Sequence, residues 1–327
     1  MIEIKDFNQV FNLSPDHGYS EHLHSEIIKN RRILDNKLFF DRLAEVLRVK
    51  TGNLYPPRTI NDLSELHKRI VSSPIALVNK HCLLFYLLKD LSPSIHSETE
   101  VAASFARTVH LPNKFWTFLE GLWALDRLQF QTATEYLTHP SLLPTFPEEI
   151  LNVLLKHAGE TGSGRGKDEA LALAYYHTVQ PPLKSEEVRE RFFAYLADRS
   201  VTEAFYFARA RPQDEQRRLL ELLISQTLQS FSGERRAGRG VELVDLPLSA
   251  DEEEWFEEFL LEGKGRNLHG ARDTVMMRRI ATGKLKEAVR DGGVKGRKFD
   301  DVNWEVVKDG IGRGLGPRKE EETFVML

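Results

Sequence analysis

Phe115-Trp116-Thr117-Phe118-Leu119-Glu120-Gly121-Leu122-Trp123-Ala124-Leu125-Asp126-Arg127-Leu128-Gln129-Phe130-Gln131-Thr132-Ala133-Thr134-Glu135-Tyr136-Leu137 decides the fold class. Its apolar residues return at intervals of three and four, the period of an amphipathic helix, and do not alternate as in a half-buried strand. The stretch reads as a helix, a tight turn at Asp126 and Arg127, and a second helix packed on the first. Gly121 lies inside the first helix, where glycine costs ~1 kcal/mol against alanine, so its expected use is the close approach of a neighbouring helix. Trp116, Gly121, Trp123, Asp126, Phe130, Ala133 and Leu137 are the expected core of this hairpin.

The same period extends outward from about Asp35 to Phe231. Leu34, Leu38, Phe39, Leu43, Val46 and Leu47 line a first helix that Thr51-Gly52-Asn53 stops. A second helix carries Leu63, Leu66 and Ile70; a third, Pro74 to Leu91, turns Leu77, Leu84, Phe85, Leu87 and Leu88 inward. Ser97-Glu100, Ser200-Glu203 and Ser249-Glu252 have capping-box spacing, and Pro112, Pro147, Ser185 and Pro212 mark further starts. Helices follow at about 112–126, 128–138, 147–158, 168–178, 185–198, 200–211 and 212–231. Short connections make consecutive helices antiparallel neighbours, so the expected fold is all-α, an irregular α-solenoid of stacked helical hairpins. The spacing is too uneven for a consensus repeat.

Residues 1–31 read as an N-terminal arm, 32–232 as the helical domain and 233–327 as a flexible interaction tail. Gly233-Glu234-Arg235-Arg236-Ala237-Gly238-Arg239-Gly240 looks like a linker. Residues 242–262 carry nine acidic side chains and no basic one, whereas 263–319 carry fifteen Lys and Arg against seven Asp and Glu. That asymmetry, concealed by a net charge of −4, suggests a tail whose acidic and basic halves dock on different surfaces. A short acidic helix, 250–262, sets Trp255, Phe256, Phe259 and Leu260 on one side. These side chains, with Met276, Arg278 and Arg279 beyond, are candidate partner-binding residues; the alternative is that Trp255 and Phe259 fold back on the preceding helices.

Of the 327 residues, 41% are hydrophobic and 29% charged, as in a folded protein. The single cysteine, Cys82, lies in an apolar run, so no disulfide framework is possible within one chain. No signal-peptide pattern opens the sequence and no segment approaches the ~20 apolar residues of a membrane span, so neither secretion nor membrane insertion is expected.

No pattern of catalytic, cofactor-binding or metal-ligating residues stands out, and no small-molecule substrate is implied. Gly162-Ser163-Gly164-Arg165-Gly166-Lys167 lacks phosphate-loop spacing: Thr161 stands where the first glycine belongs and Asp168 where a Ser or Thr belongs. The eleven histidines are scattered; His110, His139 and His157 fall near helix ends, where they serve terminal carbonyls or the helix dipole. The basic segment reads either as a solvated or protein-docked face or as a phosphate-binding tail, with Lys295-Gly296-Arg297-Lys298 its densest cluster.

The order Gly121-Leu122-Trp123-x-Leu125-Asp126, then Phe130-x-x-Ala133-x-x-Tyr136-Leu137, then Pro140-x-Leu142 resembles the helical domain of the ELYS family of nuclear pore assembly factors. The resemblance continues through Ala170-Tyr176, Gln180-Pro182 and Glu203-Arg209, spanning about 35–231. It implies a non-catalytic structural nucleoporin at the nuclear envelope, serving nucleocytoplasmic transport of protein and mRNA. The implied partners are outer-ring subunits of the Y-shaped subcomplex: β-propeller plus α-solenoid chains and a small β-propeller. Large animal members add an N-terminal β-propeller and a chromatin-binding tail, neither found in this sequence, which in that respect looks like the short fungal form. Two other readings stay open: a chromatin or nucleic-acid adaptor using the basic tail, and a helical adaptor of another complex.

Overall fold

Every segment with the three-to-four period folds as helix: the described residues form sixteen α-helices and no β-strand. The structure, a computed structural model, describes residues 3–11, 19–91, 101–160, 170–229 and 233–284, together with 287, 288 and 313. The Ser97 capping box, the Gly162–Lys167 tract and the 295–298 cluster lie outside them. The chain divides into two compact units, Met1–Val188 and Arg189–Leu327.

The first unit holds α1 (Phe7–Phe11), α2 (Glu21–Ile33), α3 (Phe39–Val46), α4 (Ile60–Ser72), α5 (Leu77–Leu91), α6 (Val101–Thr108), α7 (Asn113–Asp126), α8 (Phe130–Leu137), α9 (Pro147–Glu160) and α10 (Leu171–Val179). Its centre is α5, where every residue from Cys82 to Leu88 is buried, as expected of a helix that is apolar all round. Helices α3, α4, α6 and α7 pack against α5, while α7 also carries α2 and pairs with α8. Burial pushes the Cys82 thiol up to about 12, leaving it inert.

Three expectations need correction here. Asp35 and Asn36 both take a left-handed conformation, tolerable for these two residue types, and break the expected first helix in two. Leu34 therefore caps α2, and Val46, at the outer end of the short α3, is 62% exposed. Leu77 opens α5 in its first turn and is 58% exposed, not inward. The described part of residues 1–31, expected as an N-terminal arm, is packed on the unit, with Val10 and Phe11 of α1 and Leu23, Ile27 and Asn30 of α2 buried.

The second unit opens within α11 (Glu186–Arg199) and continues with α12 (Val201–Arg209), α13 (Gln213–Gln229), α14 (Gly233–Val244), α15 (Ala250–Leu261) and α16 (Ala271–Ala281), a 3-10 turn at Lys264–Asn267 lying between the last two. The expected boundary at 232 thus gives way to one at Val188, and the expected linker to α14. Leu243 and Val244 bury one end of α14, while a side chain at Gly238 or Gly240 would meet nothing, so those glycines cost helix propensity without breaking the helix. Helix α13 packs against α12, α14 and α15, and α16 closes on α14 and α15. Ser249 and Glu252 complete the expected capping box; Ser200 accepts from the Glu203 N–H as anticipated.

Candidate interaction surface

The motif residues build a buried polar network in the first unit. Asp126, at the end of α7, accepts the N–H groups of Phe39 (2.7 Å) and Phe40 (3.0 Å), the first residues of α3, and the Tyr86 hydroxyl of α5 (2.6 Å). One carboxylate thus satisfies two orphan donors of a helix start and meets the positive end of its dipole. The Asp126 carbonyl accepts from Asn30 Nδ2 of α2 at 3.0 Å, so four helices converge on this residue. Burial pushes its carboxyl up to about 7, against the downward pull of Tyr86 and the two N–H donors.

Asp90 of α5 is a second hub, accepting from Tyr19 Oη, Tyr55 Oη and Trp123 Nε1, each at 2.8 Å. Burial raises its pKa also, opposed by those three donors. Around them, Trp116 Nε1 donates to Glu120 (3.1 Å), which pairs with Lys89 (3.1 Å), and Lys89 and Arg127 each stand 5.3 Å from the Trp123 ring. Gly121 serves the expected close approach, since an added Cβ would lie 2.5 Å from Leu137 Cγ of α8. Phe130, Ala133 and Leu137 are buried, with Phe130 against the His157 ring at 4.1 Å. The motif therefore holds helices together. Sequence reasoning missed Tyr19, Tyr55, Tyr86 and Asp90; an aspartate closing the apolar run of α5 was the one available signal.

The candidate partner-binding residues fare differently in the second unit. Phe256, Phe259 and Leu260 are buried, and Phe259 lies so close to Gly265 that a Cβ there would stand 2.4 Å from its ring. Arg278, 5% exposed, gives its guanidinium to Glu253 of α15 and to the carbonyls of Val244 and Leu246 (2.6 Å). Arg279 grips Glu257 with two parallel bonds of 2.9 and 2.7 Å. Arg209 binds Glu252 (3.1 Å) and the Pro247 carbonyl (2.9 Å). Burial acts to raise the Glu252 pKa, but Arg209 and the Ser249 N–H outweigh it and hold the carboxyl below its ordinary value. Phe256, Phe259, Leu260, Arg278 and Arg279 are thus buried within the second unit and not exposed as partner-binding residues, which for Phe259 agrees with the alternative that it folds back on the helices. Where α15 and α16 pack, Arg278 and Arg279 of the basic block dock on Glu253 and Glu257 of the acidic one, while most of the basic block beyond 284 lies outside the described residues.

The apolar residues left outward in the second unit include Tyr206 (53% exposed) and Val241 (49%), and on α16 a stripe of half-buried Met276 with Met277 (45%) and Ile280 (40%), on one face by helical spacing. Trp255 of α15 is likewise half-buried. Unbranched, polarisable methionines adapt to irregular partner surfaces. Among the described residues no group of three or more His, Cys, Asp and Glu is arranged to hold a metal, and no helix is long and apolar enough to cross a membrane.

Comparison with known proteins returns a family model described as ELYS, nuclear pore complex assembly, over residues 37–263. The match runs past the expected end at 231 to take in α14 and α15. The ely5 protein of Schizosaccharomyces pombe is 28% identical over 195 residues, 59% of this chain and 60% of that protein. Protein ELYS of Xenopus laevis is 24% identical over 160 residues, 47% of this chain and 6% of that protein. The chain thus spans less than two thirds of either relative.

Proposed function

The chain belongs to the ELYS family of nuclear pore complex assembly proteins, and from that premise we propose that it is a structural nucleoporin that docks on the Y-shaped outer ring. The observation that carries this reading is the family match across 37–263, which takes in most helices of both units. The docking function is non-catalytic: helices pinned by internal polar networks present a pre-shaped surface, so little ordering cost is paid on binding. Its partners are outer-ring chains of β-propeller plus α-solenoid type and a small β-propeller, and its place is the nuclear pore, in support of protein and mRNA transport. The outward stripe of α16 supplies the apolar contact in the second unit, Met276, Met277 and Ile280 replacing the buried anchors expected from sequence.

The test is affinity purification of the tagged full chain beside a Met276→Asp, Met277→Asp, Ile280→Asp variant, with imaging of both. The expected result is recovery of outer-ring subunits and a punctate nuclear rim for the natural chain, with both weakened in the variant. Failure of the natural chain to recover any pore subunit would overturn the function; equal recovery by the variant would overturn the assignment of α16. A chromatin adaptor is the competing reading, and Arg278 and Arg279 give it no support because both are spent on Glu253 and Glu257.

A further inference from the structure

In the first unit, the outward side of α2 and the loop before α4 enclose an open groove of about 730 Å³. Glu21, His24, Ile28, Lys29 and Arg32 line it from one face of α2, and Arg58 lines it from the loop. Neighbouring cations are engaged: Arg31 bonds Asp41 (2.9 Å), Arg127 meets Glu26 (3.1 Å) and Lys89 meets Glu120 (3.1 Å). Among the described residues, Lys29, Arg32 and Arg58 make no ion pair, although all three are exposed around the half-buried Ile28. The dipole of α2 accounts for a cation in its last turn, such as Arg32. It does not account for Arg58, which comes from another segment.

That segment is fixed. The Arg58 and Thr59 N–H groups both donate to Asp62 Oδ2 (3.1 and 3.0 Å), and the Asp62 N–H returns to Thr59 Oγ1 (3.1 Å). Just upstream, the Tyr55 carbonyl accepts from Arg31 Nη2 (3.0 Å) and its hydroxyl donates to Asp90 (2.8 Å). The two walls are therefore tied to each other and to the core, so a ligand need not order them. Burial and the nearby Arg58 and Arg31 lower the pKa of His24 from its ordinary value, favouring the neutral ring.

We propose that this groove docks an acidic peptide segment of a partner protein, one apolar side chain resting on Ile28 while carboxylates meet Lys29, Arg32 and Arg58. Nucleic acid fits less well: a duplex or single strand binds through a run of phosphates along a basic track. Here three cations surround an apolar floor, and Glu21 stands among them. The proposal is independent of the α16 stripe and of the partner's identity.

The experiment is fluorescence anisotropy of the full chain with a short labelled peptide of glutamates flanking one leucine. The expected result is saturable binding that weakens with salt, falls about tenfold or more in a Lys29→Glu, Arg32→Glu, Arg58→Glu variant, and falls partially in Arg58→Ala alone. A Lys114→Glu control, on the exposed start of α7, leaves it unchanged. Serine in place of the peptide's leucine also weakens binding. Circular dichroism checks that each variant keeps its helices. No binding by the natural chain, equal binding by the triple variant and Arg58→Ala, or tighter binding of a DNA oligonucleotide of the same net charge would each overturn the proposal.

Discussion

The core around α7 and the module of α14 to α16 both bury acidic side chains, but they compensate them in opposite ways. Asp126 and Asp90 are surrounded by neutral donors, namely backbone N–H groups, tyrosine hydroxyls and an indole. Glu252, Glu253 and Glu257 are held by guanidinium groups. Neutral donors leave the cost of burying charge largely uncompensated, so the Asp126 carboxyl rises, whereas Arg209 depresses the Glu252 carboxyl. The first unit is therefore organised by hydrogen-bond geometry at one hub, the second by charge pairing spread over several clamps.

The largest expected effect comes from removing the hub. Asp126→Ala strands two N–H groups of α3 in a dry core, at ~1–3 kcal/mol for each unsatisfied group, and leaves the Tyr86 hydroxyl only its longer contact to the Leu122 carbonyl (3.3 Å), so a loss of about 3–5 kcal/mol is expected. Urea unfolding followed by Trp116 and Trp123 emission, in a Trp255→Phe, Trp304→Phe background, reads it; a loss under about 1 kcal/mol would show that water replaces the carboxylate. The same measurement across pH isolates the charge. Because the folded pKa of Asp126 is raised to about 7, its contribution is complete below the unfolded value and fades as pH climbs through 7. The advantage over Asp126→Asn should accordingly shrink between acidic and neutral pH. Glu252 has the opposite sign: its contribution is present above the ordinary glutamate value and is lost as pH falls through the depressed one.

Breaking one clamp in the second unit should cost less than removing the hub. Arg278→Ala leaves the Val244 and Leu246 carbonyls and the Glu253 carboxylate short of a donor, but Arg279–Glu257 and Arg209–Glu252 remain. A loss of about 2–3 kcal/mol is expected, read as faster amide exchange of α15 and α16 with α3 unchanged. Equal deprotection of α3 would contradict the separation of the two units.

Gly121→Ala is smaller still, because two terms oppose. Crowding Leu137 costs ~1–3 kcal/mol, and alanine returns ~1 kcal/mol of helix propensity. The net is a loss of about 0–2 kcal/mol, and combining it with Leu137→Ala should give less than the sum of the two single losses, since the second change opens the space that the first fills.

The contrast also explains what was legible in the sequence. Apolar period and caps marked α7 to α13 and α15 to within a few residues, because a three-to-four period and local caps are encoded in neighbouring residues. Asp126 stood out through its motif, but the atoms it serves lie 86, 87 and 40 residues away, at Phe40, Phe39 and Tyr86, and no local pattern encodes such partners. In the second unit the signals were present and misread. Glycines suggested a linker where packing carries α14, and an acidic helix followed by an arginine pair, read as two independent docking faces, is one interlocked clamp.

The two units differ last in how their turns are made, and here the expected effect is smallest. Among the described residues, every non-glycine at positive φ lies before Val188, including Arg48, His110 and Leu128 just past helix ends, while the positive-φ residues of the second unit are Gly233, Gly270 and Gly283. A side chain in that region costs about 1–2 kcal/mol, but glycine also gains freedom when unfolded, which offsets part of any saving. At Arg48, exposed and outside any ion pair, Arg48→Gly should raise the urea midpoint by an amount worth less than about 1 kcal/mol. At Leu183, also left-handed but 2% exposed, lost packing of about 2–5 kcal/mol outweighs the relief, so Leu183→Gly should lower it. Opposite signs at these two sites would show that the first unit tolerates strained turns for the sake of the side chains they bury; a stabilised Leu183→Gly would show that strain, not packing, governs them.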